Sequence, residues 1–97
     1  MTDAEISRRL ALAIGWSSSD IYLDALGFGC NVWTDGRWRK FDYRDPAVIW
    51  PIAERFDAFP ARIGDEWDVY IPDTDEYTLS DTAAKAVALA VIKANNT

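Results

Sequence analysis

Ninety-seven residues, 49% of them hydrophobic and 27% charged, suit one small domain with its own core and exclude a disordered chain. There is no His and a single Cys, Cys30, which excludes Ser-His-Asp and Cys-His catalysis, His-ligated metals, an internal disulfide and a thiolate zinc site. The net charge of −6 is uneven: residues 63–97 hold seven acids and two bases, net −5, and residues 1–62 hold nine acids and eight bases, net −1.

Thr2-Asp3-Ala4-Glu5 fits a capping box, with Thr2 as cap. Ile6, Leu10, Ala13 and Ile14 then recur at helical spacing, which predicts a helix over about residues 3–14, stopped by Gly15. Ser7-Arg8-Arg9-Leu10-Ala11-Leu12 has a superficial likeness to a twin-arginine signal. The acids before it and the shortness of its apolar run favour an ordinary amphipathic helix. Residues 17–30 are the least legible. Ile21, Leu23 and Leu26 suit either a short helix or a loop packed on the core. Cys30 reads as a small buried apolar residue.

Cys30–Phe41 predicts a hairpin, because Asp35-Gly36 is the pair a type I′ turn wants. That turn sets Thr34 opposite Arg37, Trp33 opposite Trp38 and Val32 opposite Arg39. The Trp pair is expected partly in the core, with Arg37 and Arg39 on the solvent face.

Asp45-Pro46 opens a second helix with Asp45 as cap. Val48, Ile49, Ile52, Ala53 and Phe56 form its apolar face, and Pro51 predicts a kink or a short first segment. Phe59–Ile63 and Glu66–Ile71 predict a second hairpin around Gly64-Asp65, with Trp67, Val69 and Ile71 inward. Tyr77-Thr78-Leu79 suits a short final strand. Asp81 is the expected cap of a last helix reaching about Lys93, with Ala84, Val87, Ala88 and Val91 inward.

The expected fold is therefore α+β: an antiparallel β-sheet of two hairpins sandwiched by helices, in the order α-β-β-α-β-β-(β)-α, forming a single α/β sandwich domain over residues 1–97. No stretch is long and apolar enough for a membrane span, and a cytoplasmic location in a bacterial host is the expectation.

Ser80-Asp81-Thr82-Ala83-Ala84-Lys85-Ala86-Val87-Ala88-Leu89-Ala90 resembles the C-terminal motif of the phage ABA sandwich domains, Ala-Asp-Thr-Ala-Pro followed by an alanine-rich helix. Gly15-Trp16 after the first helix, Trp50 in the second and the strand Trp67-Asp68-Val69 agree with it. Ala84 stands where the family often has Pro. The resemblance implies an α/β sandwich of phage or prophage origin and no established activity, so no functional residues carry over. The same last helix is also similar to that of double-stranded-RNA-binding domains. Those place several Lys at its start, whereas Lys85 here stands alone behind acids.

Seven carboxylates lie between Gly64 and Ala84 without one Lys or Arg among them. Such a field repels nucleic acid and attracts basic surfaces. Asp73-Thr74-Asp75-Glu76 begins like a calcium loop but lacks the required Gly and the distal Glu, so no metal or cofactor is expected. Paired carboxylates can do acid–base work where burial separates them, but Asp65, Glu66 and Asp68 lie at the predicted turn, where solvent keeps them ionised; no phosphate loop or catalytic spacing of Tyr is present, and an enzyme is not expected. The expectation is a small acidic phage-type accessory protein that acts by protein–protein binding. Its sharper form is an anti-defence, anti-CRISPR-like inhibitor that masks a nucleic-acid-binding surface. The expected contacts are Asp65, Glu66, Asp68, Asp73, Asp75 and Glu76, and the expected partner is a host protein with a basic surface. Homodimerisation is left open. The alternatives are a small-ligand domain and a nucleic-acid module built on Trp33, Arg37, Trp38 and Arg39, the latter disfavoured by the overall charge.

Overall fold

The structure, a computed structural model, describes residues 1–24, 26, 29–72 and 76–95, with Glu76 described in its backbone alone. Helix α1 (Asp3–Ala13) leads into a short 3-10 turn (Ser18–Asp20) and strand β1 (Ile21–Leu23). The hairpin β2 (Cys30–Thr34) and β3 (Arg37–Lys40) follows, then α2 (Pro46–Phe56). Strands β4 (Pro60–Ile63), β5 (Glu66–Ile71) and β6 (Glu76–Ser80) precede α3 (Ala83–Ala94).

The fold is α+β, a helix–sheet sandwich in close to the expected order. The two hairpins do not share one sheet. Each has a third strand, giving two antiparallel three-stranded sheets, β1-β2-β3 and β4-β5-β6. Helix α1 packs on β1 and β2, α3 packs on all three strands of the second sheet, and α1 and α3 pack on each other. Helices thus fill the middle, and each sheet is covered on one face. The reason lies in α3, where Ala86, Val87, Ala88, Ala90 and Val91 are all buried. A helix apolar nearly all round must be covered on more than one side.

Local chemistry explains the ends of the elements. Thr2 caps α1 by accepting from the Glu5 N–H at 3.1 Å, while the Glu5 carboxylate turns outward to Arg9 at 3.6 Å. Gly15, at φ +112°, lets the chain leave the helix. Asp45 caps α2 through the Ala47 N–H, and the helix runs on through Pro51 to Phe56. The cap of α3 is Thr82, which accepts from the Lys85 N–H at 3.2 Å; Asp81 instead accepts from the Ser80 hydroxyl. A threonine one residue nearer the helix is simply better placed to reach its first free amides.

Two expectations for residues 17–30 are corrected. Ile21 and Leu23 belong to a strand, paired with Val32 and Cys30, and Leu26 is exposed rather than packed on the core. Two residues pointing inward around Tyr22 fit a period of two and not a helical one.

Candidate functional site

The two uncovered sheet faces hold most of the large apolar side chains that reach solvent. Their composition follows from strand parity, since directly opposed residues of antiparallel strands share a face.

On the first sheet the predicted register is found: Thr34 opposite Arg37, Trp33 opposite Trp38, Val32 opposite Arg39. Asp35 and Gly36 both have positive φ, 54° and 78°, as a type I′ turn requires. Cys30 and Val32 are buried against the helices. Trp33, one residue out of phase, must then point away from them. The Trp pair is accordingly not in the core: Trp33 is 41% and Trp38 42% exposed. Tyr22 stands on the same face. Its ring meets Trp38 edge-on at 4.7 Å, and Trp38 meets Trp33 at 5.4 Å. The three rings make one ridge across the sheet, a feature the sequence concealed because β1 was not legible. Lys40 lies in the same row as Tyr22 and Asn31. Arg37 and Arg39 sit on the opposite side of β3, yet are exposed because every residue of this edge strand is.

Arg44 does not join that patch. Its guanidinium grips the Asp42 carboxylate with Nε at 3.0 Å and Nη2 at 2.8 Å, and reaches Asp3 at 3.2 Å. This fork holds the Asp42 carboxyl below the usual carboxylate range. Tyr43 completes the cluster. Its N–H donates to buried Ser7 Oγ at 3.0 Å, and its hydroxyl donates to Asp3 Oδ1 at 2.5 Å. Burial and that carboxylate push the phenol upward. The cluster ties α1 to the segment before α2 and leaves its charges satisfied internally.

On the second sheet the outer face carries Ala61 and Ile63 from β4, Glu66, Asp68 and Tyr70 from β5, and Tyr77 and Leu79 from β6. Ile63, Tyr77 and Leu79 are 58%, 66% and 56% exposed. The rings of Tyr70 and Tyr77 pack with centroids 4.9 Å apart and planes tilted by 31°. Asp68 occupies the middle, with Ala61 on one side and Leu79 on the other. Its Oδ1 is shielded from solvent and accepts no hydrogen bond. Residues 63–97 contain two bases, Lys85 and Lys93, both on α3 behind the sheet. Arg62 opposes Trp67 on the covered face and donates to the Gly64 carbonyl. The chain therefore sends no cation to this carboxylate, which is an unusual state for a shielded oxygen.

Of the sequence-predicted contacts, the structure brings Asp65, Glu66 and Asp68 to one end and the centre of this face; Asp65 and Glu66 are solvated around the turn. Asp73 and Asp75 lie outside the described residues, as does the Glu76 side chain. Asp68 was grouped in sequence with the solvated turn acids. Its place on the central strand of the sheet sets it apart from them.

Other features offer less chemistry. Cys30 is buried and its thiol is pushed up to about 11, so it is inert near neutral pH. One open groove of about 340 Å³ lies between α1 and α3 beside Arg8 and Arg9, and another of about 540 Å³ beside Asp3, Arg44 and Lys85. Arg9 and Arg44 already pair with acids of the chain. Among the described residues no three His, Cys, Asp or Glu side chains are grouped to hold a metal ion, and no helix is long and apolar enough to cross a membrane.

Comparison with known proteins gives no relative: no family model, no curated protein and no solved structure matches the chain. The likeness to the phage sandwich domains therefore remains a resemblance of motifs.

Proposed function

We propose that the chain is a protein-binding module whose contact surface is the outer face of the second sheet, and that it takes a partner with a basic surface. The supporting observation is Asp68: a half-buried carboxylate whose Oδ1 has no hydrogen-bond donor, among exposed Ile63, Tyr70, Tyr77 and Leu79. Aromatic and aliphatic side chains supply area to bury, and a partner's Arg or Lys would supply the cation the chain withholds. Glu66 and Asp65 at one end would steer that partner's approach. In the finer form of this proposal the partner is a nucleic-acid-binding protein of a bacterial host, its phosphate-binding surface masked as an anti-defence inhibitor of phage type would mask it.

The test is paired affinity capture from bacterial lysate, using the wild type and the triple variant Asp65→Asn, Glu66→Gln, Asp68→Asn. A stoichiometric partner that binds the wild type, leaves with salt and is lost by the variant is the expected result. Equal recovery on both would remove the second sheet from the contact.

The exposed Tyr22–Trp38–Trp33 ridge favours a second reading, single-stranded nucleic acid stacked on the first sheet with Lys40 and Arg37 at its margin. Against it stand the net charge of −6 and the commitment of Arg44 to Asp42 and Asp3. Titration with a labelled oligonucleotide at low salt decides: salt-sensitive binding lost in Trp38→Ala supports it, and no binding ends it.

A further inference from the structure

The two outer faces differ in charge and match in kind. The first presents an aromatic ridge with Lys40 beside it; Arg37 and Arg39 lie on the other side of β3, where Arg39 reaches the Asp35 carboxylate at 3.8 Å. The second presents Tyr70, Tyr77, Leu79 and Ile63 around Asp68, with Glu66 at one end. The first sheet lies on α1 and the second on α3, so the two outer faces are separate surfaces.

We infer that the basic aromatic surface fitting the second sheet includes the first sheet of another copy of this chain, so that copies associate head to tail with Lys40 of one directed at Asp68 of the next. This deepens the protein-binding reading of the second sheet and rests on it. Charge decides against the symmetric alternatives. Pairing two second sheets would gather Asp68 and Glu66 of both copies into one contact, and pairing two first sheets would gather both copies of Lys40. Like charges brought together in a dry contact oppose association, whereas the crossed arrangement brings a cation to Asp68, a half-buried carboxylate with one oxygen, Oδ1, that has no donor. The crossed contact is heterologous. Because it joins two different patches it leaves a free face at each end, so growth continues past the dimer to a ring or an open filament.

Sedimentation velocity of the full chain over a wide concentration range, at low and at high salt, tests this. The average mass should rise past that of a dimer with concentration and fall with salt. Lys40→Glu spoils the first sheet and Leu79→Glu the second; each alone should stay monomeric, with an unchanged circular dichroism spectrum. Their mixture should stop at a 1:1 dimer, since one intact face remains on each and the two altered faces repel. The double variant Lys40→Glu, Asp68→Lys should recover growth by exchanging the signs of the pair. A wild type that is monomeric throughout overturns the inference, as does a dimer retained by either single variant or a double variant that does not recover. The capture experiment with the triple variant is independent of these outcomes. A monomer that still loses its lysate partner on mutation of the acids would leave the binding reading standing without self-association.

Discussion

The polar regions on β5 and around α1 treat carboxylates in opposite ways. Around α1, Asp3 and Asp42 are gripped by Arg44, Tyr43 gives Asp3 a hydrogen bond, and Ser7 receives the Tyr43 N–H. On β5, Asp68 has a shielded oxygen and no donor. One region satisfies its polar groups within the chain and the other leaves a carboxylate oxygen bare, and the proposed contact rests on that difference.

The largest effect should come from removing the support both regions share. Leu10 is fully buried in α1, the helix lying between the first sheet and α3. Leu10→Ala should lower the unfolding free energy by about 2–5 kcal/mol, read from urea denaturation. A loss well under ~1 kcal/mol would mean that α1 is not held on both sides.

Next comes the satisfied region itself. Ser7→Ala strands the Tyr43 N–H inside the protein, and the expected cost is about 1–3 kcal/mol by the same measurement. Acid should act on the same cluster. The Asp42 carboxyl lies below its ordinary 3.8 when folded, because Arg44 stabilises the charged form. Its contribution is therefore complete above the unfolded value and is lost as pH falls through the lower, folded one. Arg44→Met should flatten the acid limb of the stability–pH curve. An unaltered limb would mean that the fork is not formed in solution. Alkali acts through Cys30 instead, whose thiol is raised from 9.0 to about 11 by burial. Its contribution is complete below the unfolded value and fades as pH climbs through the folded one, and Cys30→Ala should remove that part of the decline.

Much of this architecture was legible because local rules and packing agreed. Asp35-Gly36 set the first hairpin and its register, Gly64 at φ 63° the second, and the caps Thr2 and Asp45 the starts of two helices. The candidate surfaces were less legible. Which face of β2 meets the core depends on β1 and α1, so the direction of Trp33 could not be read from the hairpin alone. A long-range pair such as Ser7 with Tyr43, 36 residues apart, leaves no local signature. Asp68 looked like one more member of an acidic run until the strand pairing set Ala61 and Leu79 beside it.

The smallest effect on stability has the opposite sign, and it is the most telling. Asp is poorly suited to a strand interior, and here its shielded oxygen gains nothing in return. Asp68→Thr should therefore raise the thermal midpoint, by the equivalent of up to ~1 kcal/mol, since a β-branched side chain fits between Ala61 and Leu79. The same variant should weaken association through the second sheet. A residue whose removal helps the isolated chain and harms its complex serves the complex. If Asp68→Thr instead lowers the midpoint, the carboxylate is doing structural service within the sheet, and the contrast with the Asp3–Asp42 cluster disappears.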